Sequence, residues 1–142
     1  MLRMTRMFLG IVFCLLFQAF SLHAIPPVLN YAGQVKVDGR PFDGTGYLKF
    51  ALVSPSGDTT FWSQDGTSVN GSEPGGSVSV QVQGGLYSIL LGNTAIDGMG
   101  AIDPSLFSTH SDLHLRVWFN ETGSMDLNEL FLTAPSLPFP MP

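Results

Sequence analysis

Cysteine and basic residues are scarce in this 142-residue chain. The first scarcity limits the disulfides that can stabilise the fold, and the second limits the classes of partner. The one cysteine, Cys14, lies in an apolar stretch near the N-terminus, so no intramolecular disulfide can staple the rest of the chain. Six lysine and arginine residues stand against eleven aspartate and glutamate residues. Such an acidic surface repels phosphate groups, which argues against nucleic acid and anionic membrane surfaces as partners.

An apolar run of membrane-spanning length is also lacking. The most apolar stretch, residues 7–20, has 14 residues, whereas a helix that crosses a bilayer needs about 20. Arg3 and Arg6 precede this stretch, and Ser21-Leu22-His23-Ala24 follows it, with the small Ala24 at the position where a signal peptidase would cut. This order is typical of a secretory signal peptide. We therefore predict a signal-peptide helix over residues 1–24 that is cleaved after Ala24, with an uncleaved membrane anchor as the alternative.

Cleavage at this position changes the composition of the remaining chain. It removes Cys14 and both leader arginines, leaving 118 residues with four basic and eleven acidic side chains, a net charge of −7. A chain of this length is sufficient for one packed core. We expect the protein to be secreted or on the cell surface, with membrane contact only through the leader before cleavage.

The rest of the chain lacks helical periodicity and alternates in the way that half-buried strands do. The alternation is cleanest over residues 77–82, with Val78, Val80 and Val82 on one face. Leu48, Phe50 and Leu52 also share a face, as do Leu113, Leu115, Val117 and Phe119. We predict strands at residues 28–37, 47–53, 59–63, 77–82, 86–91, 113–119 and 130–133. About seven such strands favour an all-β fold, a single antiparallel β-sandwich of immunoglobulin-like type over residues 25–134. The turn at residues 39–44 (GRPFDG), followed later by residues 85–88 (GLYS), loosely resembles prealbumin-like modules, and this resemblance implies the same sandwich. Residues 135–142 contain four prolines and are predicted to form an extended tail or linker.

Residues that favour turns separate the predicted strands. Asp38-Gly39 predicts a tight turn, residues 41–46 a second bend, and residues 83–85 a hairpin. Residues 65–76 form a long polar loop, which we predict to be the most mobile segment and a place where function can reside. Residues 93–108 interrupt the β pattern, with a helical turn capped by Asp103 and begun by Pro104.

Several segments together resemble a known type of domain. They are 30–35 (NYAGQV), 39–52 (GRPFDGTGYLKFAL), 61–63 (FWS), 85–92 (GLYSILLG), Leu106-Phe107 and 113–117 (LHLRV). The chain resembles the N-terminal β-domain of large exported bacterial proteins, which follows a signal peptide and precedes collagen-like or tail-fibre-like regions. The resemblance implies a β-domain without established catalytic residues. Such domains end in a basic segment and a proline–aromatic motif, which residues 130–139 match only approximately. The chain is therefore interpreted either as a standalone domain or as the front of a longer protein.

Aromatic and titratable residues supply the candidate sites. Trp62 and Trp118 can stack on sugars if they are exposed, with packing under a loop as the alternative for Trp118. His110, Asp112 and His114 are spaced to share a strand face and are weak candidates for a zinc site, a solvated polar face being the alternative. Asp97 and Asp103 are similarly weak candidates for calcium.

No catalytic arrangement emerges from the sequence. It contains no Gly-x-Ser-x-Gly elbow and no phosphate-binding glycine loop, and we predict neither an enzyme nor a cofactor. The leading hypothesis is a non-enzymatic, exported structural or interaction module whose partner is a protein or a surface glycan. The alternative is a carbohydrate-binding module that uses exposed aromatic residues such as Trp118.

Overall fold

The computed structural model describes residues 28–122. The predicted leader over residues 1–24, the strand at 130–133 and the proline-rich tail at 135–142 lie outside the described residues. Within residues 28–122, no helix has the length and apolar character needed to cross a membrane.

The described residues form an antiparallel β-fold with one short helix, which confirms the predicted all-β class. In chain order the elements are β1 (Leu29–Gln34), β2 (Lys36–Val37), β3 (Arg40–Pro41), β4 (Gly44–Val53), β5 (Thr60–Ser63), β6 (Val78–Val82), β7 (Leu86–Leu91), α1 (Ser105–Thr109) and β8 (His114–Asn120).

The ten-residue strand β4 is the centre of the larger sheet. Leu48 pairs with both Val78 and Phe119, and Ala51 pairs with both Ser63 and Arg116. Because a residue in a sheet has one neighbour on each side, β8 lies along one side of β4 while β5 and β6 share the other. Strands β5 and β6 therefore lie end to end, and the chain leaves the sheet between them through residues 64–77.

A second, two-stranded sheet pairs β1 with β7 in antiparallel register. Its inward residues meet those of the larger sheet in one core, as when Tyr31 packs edge-on against Phe50 with ring centroids 6.2 Å apart. The core members that lie on strands alternate along them, as predicted, and Val35, Met99 and Ile102 join them from the connecting segments. The buried members of this core are Val35, Leu48, Phe50, Leu52, Trp62, Val78, Val80, Val82, Tyr87, Ile89, Leu91, Met99, Ile102, Leu115, Val117 and Phe119.

The first predicted strand, 28–37, is divided in the structure. Strand β1 ends at Gln34, and the buried Val35 donates its N–H to the carbonyl of Gly85 over 2.7 Å. Lys36–Val37 then pairs with Arg40–Pro41 instead of with β7. The turn at Asp38-Gly39 is confirmed, since both residues have positive φ (49° and 76°), as a two-residue hairpin of this type requires.

Strand β4 begins at Gly44, three residues before the predicted start, so the bend assigned to residues 41–46 was placed too far along the chain. Residues 44–46 pair with β6, where Gly44 lies opposite Val82. Gly46 fits because it has no side chain: a Cβ there would come within 2.5 Å of the Phe119 ring. A glycine-rich strand start of this kind is read as a turn when only local sequence is considered.

The predicted hairpin agrees with the structure, and the predicted helical turn agrees in part. Gly84 and Gly85 form the tip of the hairpin between β6 and β7, closed by paired hydrogen bonds between Gln83 and Leu86. The Asp103 carboxylate accepts a hydrogen bond from the backbone N–H of Ser105 at 2.8 Å, but Pro104 occupies the N-cap position and α1 begins at Ser105, one residue later than predicted.

Candidate functional site

The gap between β5 and β6 is filled by one buried polar side chain, that of Gln64. Its Oε1 accepts the backbone N–H of Phe50 at 2.7 Å, and its Nε2 donates to the carbonyl of Gly76 at 2.7 Å. The Gln64 backbone N–H donates to the carbonyl of Phe50 at 3.1 Å. The side-chain oxygen thus takes the place of the backbone carbonyl that a neighbouring strand would offer to the Phe50 N–H. Without it this buried N–H would have no hydrogen-bond acceptor, which costs folding free energy.

Residues 65–76, the polar loop, are tied down by the carboxylate of Asp65. Its oxygens accept the backbone N–H of Thr67 at 3.0 Å and the backbone N–H of Gly76 at 2.6 Å. The Thr67 hydroxyl lies 2.8 Å from both Asp65 oxygens and also accepts the N–H of Gly75 at 2.7 Å. The two ends of the loop are therefore held together, although the composition of this segment predicts mobility.

The middle of the polar loop is attached to the outer face of the large sheet. Arg116 on β8 donates from Nη1 to the carbonyl of Gly71 at 2.6 Å, and the N–H of Gly71 donates to the Thr60 hydroxyl at 2.8 Å. Lys49 on β4 forms an ion pair with Glu73 of the loop. These attachments place a loop over a sheet face that alternation alone predicts to be solvated.

Trp118 lies on this same outer face and is buried, with 5% of its surface exposed. Its ring packs in a cluster with Ala51 and Val53, and the Arg116 guanidinium lies 5.9 Å from the ring centroid. Trp118 therefore lacks the exposed ring that stacking on a sugar requires, and the packing alternative holds. Tertiary contacts cover the face of the strand that alternation assigns to Trp118.

A cleft of about 720 Å³ runs beside β5 and is the candidate functional site. One wall is formed by β5 and the start of the polar loop, the other by residues 94–101. Two hydrogen bonds hold the second wall in place: Trp62 Nε1 donates to the carbonyl of Ala101 at 3.0 Å, and Gly100 N–H donates to the carbonyl of Gln64 at 2.5 Å. Trp62, the other predicted binding residue, thus lines this cleft, with 8% of its surface exposed.

The charges that line the cleft are all negative. Asp65 and Asp97 are its charged residues, and no Lys, Arg or His side chain within residues 28–122 lines it. Partial burial raises the pKa of Asp65, but hydrogen bonds donated by Gly76 and Thr67 outweigh that effect and hold the pKa below its ordinary value. The cleft consequently keeps the negative charge of Asp65 at neutral pH.

The histidines and their neighbouring aspartate are divided between two contacts. The His110 ring stacks on Phe61 with centroids 4.1 Å apart, while His114 Nε2 lies 3.1 Å from the Asp112 carboxylate. Within residues 28–122 no three His, Cys, Asp or Glu side chains come together in a way that fits a metal ion. Of the two calcium candidates, Asp103 accepts the Ser105 N–H at the start of α1 and Asp97 lines the cleft.

The hydrogen bonds of Asp65 make the order of the polar loop depend on pH. Because the folded pKa is below the unfolded value of 3.8, the ionised carboxylate stabilises the loop above that value, and the contribution disappears as the pH falls through the folded pKa. We expect the hydrogen-exchange protection of the Thr67 and Gly76 amides to fall below about pH 4 while β4 stays protected. An Asp65→Asn variant should show no such pH dependence, and wild-type protection that persists unchanged to about pH 2 would contradict the assignment.

Sequence reasoning missed Gln64 and the wall formed by residues 94–101. A glutamine directly after a β-favouring segment carries no local signal, since its partners Phe50 and Gly76 are separated from it by 14 and 12 positions. Asp97 was noted only as a possible calcium ligand. Its position in the cleft depends on contacts between distant segments.

Comparison with known proteins identifies the family of this chain. The chain belongs to the family described as a domain of unknown function (DUF8740), whose model matches residues 30–130. The match includes both walls of the cleft and nearly all of the described fold. No curated protein and no solved structure matches the chain.

Proposed function

We propose that this member of the DUF8740 family is an exported, non-enzymatic structural or interaction module at the front of a secreted or cell-surface assembly. The observation that carries the proposal is the open cleft beside β5, because loops positioned on a rigid β-framework are common sites of binding. The signal-like leader and the resemblance to N-terminal domains of exported proteins support export.

The proposal includes the finer architecture. We infer a β-sandwich of immunoglobulin-like or prealbumin-like type, in which the strand expected at residues 130–133 adds to the two described sheets. Its support is the single core to which both sheets contribute, for example through Tyr87 and Ile89 on one side and Phe50 and Leu52 on the other.

The partner in this proposal is a protein or a surface glycan that enters the cleft. Binding of carbohydrate through Trp118 is not retained, because the ring is covered. The remaining predicted aromatic residue, Trp62, lines the cleft and donates a hydrogen bond from Nε1 to the Ala101 carbonyl.

Export can be tested on the chain expressed at full length in a bacterial host. We expect a mass that corresponds to a start at Ile25, with the product recovered outside the inner membrane. An Ala24→Arg variant, which places a large charge where the peptidase needs a small residue, should retain the full mass. A wild-type product that keeps residues 1–24 and stays in the cytoplasm would overturn the proposal.

A further inference from the structure

The edge of β5 that faces the cleft is free of any strand within the described residues. Strand β5 pairs with β4 alone, and its other side faces residues 94–101 across the cleft. These residues approach the end of β5 through the Gly100 and Ala101 contacts but add no strand. The Ser63 carbonyl of this strand is used by the Gly66 N–H at 3.1 Å, so an added extended segment would pair with the remaining backbone groups of the edge.

The charge of the cleft favours a cation in that segment. Asp65 and Asp97 line the cleft, whereas the cations nearest in the sheet are engaged elsewhere: Lys49 pairs with Glu73, and Arg116 donates to Gly71. Two carboxylates without a lining cation attract positively charged groups from solution and steer them to this site.

The aromatic residues of the cleft argue against a sugar as the occupant. Sugar stacking needs an open ring face, but the Phe61 ring is already stacked on His110 and Trp62 is 8% exposed. The hydroxyls of Thr60 and Ser68 and the oxygens of Asp65 are already hydrogen-bonded within the polar loop and its contacts. The recognition groups that remain are therefore the Asp97 carboxylate, backbone groups and the Thr94 hydroxyl.

We infer that the cleft binds an extended, lysine- or arginine-containing peptide segment, which lies along the free edge of β5 and places a cationic side chain at Asp97. This inference rests on the proposed function and specifies its partner as a protein with a basic extended segment. The backbone edge supplies affinity that is independent of sequence, and the carboxylates select for positive charge.

The two tryptophans provide a built-in reporter for the test. The Trp62 indole N–H is bonded to Ala101 in the cleft wall, while Trp118 lies on the covered outer face of the sheet. A ¹⁵N-labelled full-length chain therefore gives one indole signal that responds to the cleft and one internal reference. A Trp118→Phe variant identifies which signal is which.

The probe is a capped decapeptide of alternating lysine and threonine, with a glutamate–threonine decapeptide and maltohexaose as comparisons. We expect the lysine peptide to shift the Trp62 indole signal and the amides of residues 60–64 and 94–101, and added salt to weaken this binding. Asp97→Asn should weaken it about threefold or more. The matched control is Asp38→Asn, which removes the same charge at the distant β2–β3 turn and keeps a favoured turn sequence, so it should bind like wild type.

Equal binding by the Asp97→Asn and Asp38→Asn variants would overturn the inference, as would equal shifts with the glutamate peptide. Cleft shifts caused by maltohexaose and not by the lysine peptide would replace it with a neutral saccharide partner. The export measurement is independent of these results, so failure of peptide binding with correct export leaves the proposed function standing, and failure of export removes it.

Discussion

Replacing Gln64 with alanine is expected to lower the free energy of unfolding by about 3 kcal/mol. The side chain is completely buried and supplies the acceptor for the Phe50 N–H in the centre of β4. Alanine leaves that N–H without a partner, which costs about 1–3 kcal/mol, and removes the packing of the glutamine stem as well. The lost bond to Gly76 contributes less, since Gly76 is exposed and its carbonyl can turn to water.

Urea denaturation of the two variants Gln64→Ala and Gln34→Ala measures this effect. Gln34 is an exposed glutamine on β1, so its replacement should change the stability by no more than about 0.5 kcal/mol. A cost below about 1 kcal/mol at Gln64 would mean that water reaches the Phe50 N–H and that the side chain does not seal the gap between β5 and β6.

A Gln64→Glu variant tests the same site by a different route. The carboxylate can still accept the Phe50 N–H, but it faces the Gly76 carbonyl where the amide group donates. The ionised form is therefore destabilised by burial and by a repulsive contact, which raises its pKa. We expect the deficit relative to wild type to shrink as the pH is lowered and the glutamate becomes protonated, whereas the Gln64→Ala deficit should not follow this titration.

The sequence determines the strands of this domain more fully than its site, for identifiable reasons. The burial of Leu48, Phe50 and Leu52 follows from alternation, and the turn at Asp38-Gly39 follows from its demand for positive φ. The strand-face alternation and the turn each depend on a few adjacent residues, so the sequence predicts them. The early start of β4 was missed because Gly44 is favoured by its positive φ of 139° and Gly46 by the close approach of the Phe119 ring, neither of which local sequence shows.

The cleft and the covered face depend on contacts between segments that are far apart in sequence. Residues 94–101 reach β5 through the bond between Trp62 and Ala101, which spans 39 positions. Arg116 reaches Gly71 across 45 positions and holds the polar loop over the sheet. Periodicity assigns a side chain to a face of a strand, but it contains no information about which loop covers that face.

Trp118 offers the sharpest test of this covered face, and its replacement by alanine is expected to destabilise the protein by about 3–5 kcal/mol. The indole is 5% exposed, packs with Ala51 and Val53, and lies beneath the Arg116 guanidinium. Its loss leaves a cavity on the outer face of β4 and β8 and frees Arg116, which holds the polar loop through Gly71. Hydrogen exchange should therefore accelerate at Gly71 and its loop neighbours more than in the β1–β7 sheet.

Two companion variants separate packing from surface recognition. Trp118→Phe keeps an aromatic ring and should recover about half of the lost stability. Leu86→Ala removes a side chain that is 62% exposed on β7 and should cost less than about 0.5 kcal/mol. The packing assignment would be contradicted if Trp118→Ala unfolded at the same urea concentration as wild type and abolished binding to a glycan. The ring would then act at the surface, and the polar loop would have to open to expose it.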